Sequence, residues 1–311
     1  MTPIRIAIIG YGKIAQDQHA PAIAADPRFE LAATVARGGS GAPGVPRFAS
    51  HTELLARMRN LDAVAICTPP SVRYEIARAT IEAGLHTLLE KPPGVTLGEV
   101  KELARLARDK TVSLFAAWHA RYHPAVAAAA DFLAGRQIRS MRIVWREDVR
   151  KWHPGQQWIW QPGGFGVFDP GINAFSIATR IFPGSLLVRE AKLFFPANRQ
   201  TPIAARIGFA SPAAPGPLSC TLDWRHGGDE AWTIQVDAGD EPPMLLSEGG
   251  SRLAVGDRIV PAAGPGEYQA LYDHFAGLIG SAASDVDTTP LRLAADAFLL
   301  GERNLVTAFE A

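Results

Sequence analysis

Ile4-Arg5-Ile6-Ala7-Ile8-Ile9-Gly10-Tyr11-Gly12-Lys13-Ile14-Ala15 is the stretch whose reading decides the fold. Its first six residues are apolar except for Arg5, as a strand buried on both faces of a parallel sheet requires. Gly-x-Gly-x-x-Ala follows, the dinucleotide fingerprint with alanine in its third place. Each small residue has a physical task. Gly10 permits the tight turn, Gly12 lets a pyrophosphate approach the backbone, and Ala15 lets the next helix pack close to the strand. The unpaired N–H groups at the start of that helix then face the pyrophosphate. Gly10, Gly12, Lys13 and Ile14 are therefore expected at a dinucleotide.

Working outward, His86-Thr87-Leu88-Leu89-Glu90-Lys91-Pro92-Pro93 reads as an apolar strand ending on a carboxylate and an ammonium, with a proline turn stopping the strand. In a doubly wound sheet, ligands bind at strand ends. Glu90 and Lys91 are thus expected at the cofactor crevice, with Lys91 also a catalytic candidate; in isolation a Lys-Pro pair is a surface turn. Between these stretches, Leu61 to Cys67 forms a strand, and Thr68-Pro69-Pro70-Ser71 a turn into the next helix cap, which adds Thr68 and Pro69 to the cofactor set. The end of the second strand, Val35-Ala36-Arg37-Gly38-Gly39-Ser40, selects the dinucleotide. A strict NAD enzyme usually places a carboxylate there to accept from the ribose 2′-OH. Here Glu30 lies before the strand, whereas Arg37 offers a guanidinium suited to a 2′-phosphate. With Ala36 beside it and Ser40 assisting, NADP is the expected cofactor and NAD the second choice.

Strand and helix patterns alternate up to about residue 120. Thr96-Leu97-Gly98-Glu99 is a capping box opening a helix to about Asp109, and Val112 to Ala117 is a sixth strand. The expected first domain, residues 1–120, is an α/β doubly wound parallel sheet. Residues 121–311 change texture. After a helix from His123 to Leu133 come β-rich runs at Ile138–Val149, Leu186–Phe195, Ile203–Phe209, Leu218–Trp224 and Trp232–Val236. The proline-rich run Ala210 to Pro217 reads as a loop between strands, and Tyr268–Ile279 and Leu291–Phe309 read as closing helices. The expected second domain is α+β around a large open antiparallel sheet, sharing a cleft with the first. Alternation in its strands predicts an apolar far face that is covered by forming a homodimer or larger homo-oligomer.

With 311 residues, 47% hydrophobic and 20% charged, the chain has the composition of a globular protein of two domains. A formal net charge of zero gives no electrostatic case for nucleic acid or an anionic membrane. No stretch approaches about eighteen uncharged apolar residues, and the first strand begins at once without a signal peptide pattern. Cys67 and Cys220 stand in apolar runs without metal-ligand spacing, consistent with a reducing cytoplasm. His119 and His123 have helical spacing but no carboxylate between them, so no metal site is expected.

Fingerprint, Glu90-Lys91-Pro92 and a β-rich second half in this order resemble the Gfo/Idh/MocA oxidoreductases over essentially the whole chain. Within that family, Trp145-Arg146-Glu147 through Trp152-His153 and Trp158-Ile159-Trp160 to Asp169-Pro170-Gly171-Ile172-Asn173 is similar to the bacterial L-arabinose and D-galactose 1-dehydrogenases. The resemblance implies oxidation of C1 of an aldopyranose to a lactone with NAD(P). Family members commonly carry Asp-x-x-x-His where this chain has Asp169 and Asn173, so the usual histidine base is missing. The residues also make sense alone. Asp169 and Asn173 share a helix face, and with Lys91 they supply a carboxylate, an amide and an ammonium around C1–O1. The base stays open between Lys91, Asp169 and a water held by them. Glu147, Trp152, His153, Trp232 and His119 are the candidate sugar ligands, an indole face suiting the C–H side of a pyranose. As core residues, the tryptophans would need no ligand. A second reading on the same fold is a catalytically silent sugar or nucleotide sensor, which has no need of Lys91 and Asp169.

Overall fold

The computed structural model describes residues 2–239 and 241–310. Their contacts form two units, one running to His119 and taking in Gly266–Thr288, the other comprising Ala120–Pro265 and the residues from Thr289 onward. The expected boundary near residue 120 treated 121–311 as one body. Instead the helix Glu267–Ser281 packs within the first unit, where Tyr268, Leu271, Tyr272 and Phe275 are buried.

The first unit holds six parallel strands: β1 (Ile4–Ile9), β2 (Phe29–Val35), β3 (Arg47–Phe48), β4 (Ala63–Ile66), β5 (His86–Glu90) and β6 (Leu114–Ala117), in the order β3-β2-β1-β4-β5-β6. The order reverses between β1, the fingerprint strand, and its neighbour β4, with β2 on its other side, which puts the ligand crevice beyond the carboxyl ends of β1 and β4. Ile6, Ala7 and Ile8 are completely buried, as a doubly covered strand demands. Gly10 has φ +93°, and a Cβ there would lie 2.8 Å from the Thr68 N, so both backbone and space require glycine. The helix Leu97–Asp109 starts with the expected reciprocal capping box, Thr96 accepting from Glu99 N and Glu99 from Thr96 N.

The second unit is a nine-stranded sheet formed by β7 (Ser140–Arg146), β8 (Leu187–Pro196), β9 (Ala204–Ser211), β10 (Ala214–Asp223), β11 (Ala231–Asp237), β12 (Met244–Ser247), β13 (Arg252–Val255), β14 (Arg258–Val260) and β15 (Gly301–Val306). The order is β14-β13-β12-β11-β7-β10-β9-β8-β15. It is mixed rather than wholly antiparallel, because β10 pairs with β7, and β15 with β8, in parallel. Two sequence expectations are corrected here. Pro215 and Pro217 lie inside β10, tolerated because the register with β9 breaks between Ala214 and Leu218. The closing helix ends at Leu300, and Gly301 turns the chain into β15. A Cβ at Gly301 would sit 2.5 Å from Ala297 O and 2.8 Å from the Leu193 side chain, so the turn from helix into the strand beside β8 needs glycine.

One face of this sheet is apolar, with Leu193, Ile207, Cys220, Ile143 and Ile234 buried. The helix Phe168–Ile181 packs over β7 and β11, and Gly171 admits the Leu222 side chain. The far face is not the apolar surface expected. Arg206 stands opposite Lys192, and Arg142 lies between Ser219 and Gln235; all of these are exposed. The alternation supplied one buried face and left the other to charge.

Candidate functional site

A cleft of about 680 Å³ lies in the first unit at the carboxyl ends of β1, β2 and β4. Gly10, Gly12, Ala36, Arg37, Thr68 and Pro69 line it, as the sequence expected. A Cβ at Gly12 would meet nothing within 4 Å and would project into open space, which fits close approach of a pyrophosphate. Arg47 Nη1 donates to Gly39 O at 2.7 Å and braces the loop that carries Arg37. Lys13 pairs with Asp17 on the exposed side of its turn, and Ser40 is exposed beyond the cleft lining. Ile14 precedes a wide turn, Ala15–His19, that opens the fingerprint helix. Cys67, Ser50 and His51 also line the cleft and carried no recognisable motif.

Glu90 points into the core. One carboxylate oxygen accepts from Tyr268 Oη at 2.6 Å and meets His19 Nε2 at 3.2 Å; the other accepts from Lys91 N at 2.7 Å. His19 Nδ1 lies 2.8 Å from Tyr272 Oη. Buried Arg73 donates to the carbonyls of Thr68, Glu90 and Pro92, gathering the ends of β4 and β5. Burial alone would raise the Glu90 carboxyl; the His19 hydrogen bond, the charges of His119 and His19, and the Tyr268 hydroxyl outweigh it and hold the group at about 2. Burial would likewise lower His19. Its electrostatic interactions with Cys67 and Tyr272 and its hydrogen bonds to Cys67 and Glu90 instead keep it well above its ordinary value. His119 stacks on Tyr268 at 5.3 Å and meets Glu267 at 3.1 Å. The sequence named Glu90 and His119, but gave no signal for His19, Arg73 or Tyr268, whose partners are remote in the chain.

The second unit gathers a separate cluster. β7 delivers Glu147, a buried carboxylate accepting from Trp224 Nε1 at 3.0 Å and Trp232 Nε1 at 2.9 Å. Asp148 caps the short helix Val149–Trp152, which presents Trp152 and His153. The Trp152 indole donates to Glu230 and sits edge-on to Trp232 at 5.4 Å, with 43% of the residue exposed. His153 Nε2 is 3.9 Å from Glu147 Oε1 and 3.8 Å from Asp169 Oδ2. Asp169 is buried in the first turn of Phe168–Ile181, a helix whose N-cap is Val167, so it is not serving as the cap. Asn173 follows one turn later, half-buried. Five residues named from the sequence thus meet, joined by Trp224, which was read only as strand. Among the described residues no group of three or more His, Cys, Asp or Glu side chains is arranged for a metal ion, and no helix is long and apolar enough to cross a membrane.

Comparison with known proteins agrees with this geometry. The family described as "Oxidoreductase family, NAD-binding Rossmann fold" (GFO_IDH_MocA) matches residues 4–117. A galactose 1-dehydrogenase of Pseudomonas fluorescens is 48% identical over 309 residues, 99% of each chain. The chain belongs to the Gfo/Idh/MocA oxidoreductase family. The crystal structure of a D-galactose-1-dehydrogenase from Rhizobium etli matches it with a TM-score of 0.94 and 48% identity, covering 100% of this chain and 99% of that one. KijD10, a 3-ketoreductase of Actinomadura kijaniata solved with NADP and TDP-benzene, shares the fold at a TM-score of 0.84 and 19% identity, over 98% and 100% of the two chains. A nicotinamide dinucleotide is accordingly the cofactor of this Gfo/Idh/MocA protein, and the first-unit cleft has the small residues and open backbone to hold it.

The Glu90 network makes a pH-dependent prediction. The carboxyl stands at about 2 when folded against an ordinary 4.5, so its stabilisation is present above pH 4.5 and is lost as pH falls toward 2. Glu90→Gln should cost about 3–5 kcal/mol near pH 6, where it leaves a buried imidazolium unpaired. The deficit relative to wild type should shrink as pH falls toward 2. Urea unfolding across this range measures it, and a deficit independent of pH would contradict the assignment.

Proposed function

We propose that this protein is a nicotinamide-dependent aldose 1-dehydrogenase that oxidises C1 of D-galactose or L-arabinose to the lactone. The observation that carries the reading is the buried Glu147 and Asp169 pair beside exposed indole surface, in a chain 48% identical end to end to a galactose 1-dehydrogenase. Glu147, His153 and His119 are the polar groups for sugar hydroxyls, and Trp152 and Trp232 the indole surface for a pyranose C–H face. Lys91, Asp169 and Asn173 serve the reacting C1–O1 group. The nicotinamide supplies the two-electron acceptor for the C1 hydride. The Lys91 ammonium holds O1 and favours its charge as the proton leaves, while the Asn173 amide can orient a hydroxyl but cannot take a proton. Free thiols at Cys67 and Cys220 support a reducing, cytoplasmic setting.

Absorbance of reduced nicotinamide, followed with a panel of aldoses and both dinucleotides, tests the function directly. Reduction by none of them would return the protein to a binding role. Lys91→Met and Asp169→Asn should each lower turnover by about 10²–10⁴-fold while sugar still binds. Near-normal turnover in both would refute their assignment.

For the cofactor we favour NADP, supported by Arg37 lining the cleft at the end of β2 where no carboxylate stands. Arg37→Ala should weaken NADP by about 1.5–3 kcal/mol and change NAD little; equal losses for both would make the arginine structural.

Self-association is supported by apolar side chains left on the surface at the chain's end. Leu299 is 83% exposed, Leu300 53%, and Leu305, on edge strand β15, 79%. A homodimer or larger homo-oligomer covering them should appear in sedimentation at micromolar concentration, and Leu305→Lys should weaken it. A wild-type monomer would sink this idea.

A further inference from the structure

We propose that His153 takes the proton from O1 of the sugar, with the Asp169 and Glu147 carboxylates stabilising the imidazolium that forms. This rests on the aldose 1-dehydrogenase reading and supplies the base that reading leaves open. Oxidation at C1 releases one proton from O1, and the residue that receives it must be unprotonated at working pH. An ammonium is already protonated and an amide has no site for a proton. A carboxylate ordinarily titrates near pH 4, and so accepts weakly at neutrality, whereas imidazole ordinarily titrates near pH 6.5. The chain has no histidine at position 173, one helical turn beyond Asp169. The fold brings one to Asp169 from elsewhere.

The placement is built rather than incidental. Asp148 caps Val149–Trp152, and His153 N bonds Val149 O at 2.8 Å, which fixes where the imidazole leaves the turn. The ring lies 5.1 Å from the fully buried Trp224. Nε2 stands between two carboxylates from different elements, 3.9 Å from Glu147 and 3.8 Å from Asp169. Glu147 is itself tethered by the Trp224 and Trp232 indoles. The other charged groups of the segment are turned elsewhere: Arg150 to Asp148, Lys151 to Glu230, and the His226 ring to Asp229 O. The His153 side chain keeps 16% of its surface accessible, enough for a ligand hydroxyl and for return of the proton to water.

The step balances. The O1–H bond breaks and its proton passes to Nε2 of the neutral ring. The C1–H electron pair leaves as hydride to oxidised NAD(P), and C1=O forms. The sugar loses two electrons, the nicotinamide gains two, and the imidazolium later releases its proton to solvent. Both carboxylates face the nitrogen that takes the proton, so they favour the imidazolium by charge and do not take the proton themselves.

The test compares wild type with His153→Asn and, as a second variant of different shape, His153→Gln. Both should lose about 10²–10⁴-fold in kcat and lose the acidic limb of the kcat–pH profile. Galactose binding without cofactor, followed by tryptophan fluorescence, should weaken far less than kcat falls, since Glu147 and the indoles still hold the sugar. In proton NMR the His153 ring of wild type should titrate, with its midpoint falling in Asp169→Asn. Turnover within about threefold of wild type, or an acidic limb kept in both variants, would return the proton to Lys91, Asp169 or a held water and overturn the proposal. So would weakened sugar binding with kcat unchanged, or a ring midpoint indifferent to Asp169→Asn. A wild-type enzyme that oxidises no aldose overturns both this and the reading beneath it, whereas an active wild type with unimpaired variants overturns this alone.

Discussion

The Glu90 carboxylate is buried at the end of a central strand, and much of the first unit is arranged around that fact. Taking a carboxylate out of water costs several kcal/mol unless its lone pairs are met. Three partners meet them: Tyr268, His19 and the Lys91 N–H. Each has a structural consequence. His19 has to arrive from the fingerprint helix, whose first turn widens over Ala15–His19. Tyr268 belongs to a helix late in the chain, which is why Gly266–Thr288 packs with the first unit rather than with its sequence neighbours. Lys91 is positioned by the same carboxylate through its own N–H, while Arg73 ties the carbonyls on either side. The lysine thus stands on a strand end that cannot shift without exposing or orphaning a buried charge.

The second unit reaches a similar arrangement with different chemistry. Glu147 is buried too, but its donors are two indole N–H groups, from Trp224 and Trp232. This resolves the ambiguity of a tryptophan-rich sequence. Trp224 is wholly buried core and still a hydrogen-bond donor, whereas Trp152 offers a large exposed surface fixed by Glu230. Donors built into rigid rings hold the carboxylate with little loss of side-chain entropy, so Glu147 is set before any ligand arrives.

What the sequence made legible follows from range. The fingerprint and the Thr96–Glu99 capping box are contacts within a few residues, so their residue types announce them. The two-residue strand β3 and the short strands β12 to β14 carry too little periodicity to see. β15 was hidden in an apolar pattern that reads as helix up to Phe309 until Gly301 is seen to turn the chain into the sheet beside β8. At the site, chemistry was easier to name than direction. Glu90 was placed at the cofactor but points to the core, and Lys13 was named with the fingerprint but turns out to Asp17. Buried His19 and Arg73 were invisible because their partners arrive from other elements. The approach of His153 to Asp169 joins two elements that no spacing rule links, which is why a missing histidine at position 173 looked like a missing base.

Fixed carboxylates also bear on which sugars the proposed site would accept. Each Glu147 oxygen takes one indole N–H, which fixes both oxygens in place for sugar hydroxyls. A sugar with the matching hydroxyl absent or inverted would leave them dry, at about 1–3 kcal/mol for each buried group, and the tethered carboxylate cannot swing away to recover hydration. A hydroxymethyl group on C5 held only against apolar surface would meet no such constraint. Gaining or losing it against an apolar wall is worth about 1–3 kcal/mol, and that only where the wall fits closely. D-Galactose and L-arabinose share the configuration at C2, C3 and C4 and differ in that hydroxymethyl. A site built from immobile polar groups is therefore strict about ring hydroxyls and lenient at C5, so the same architecture that rejects epimers would serve both sugars.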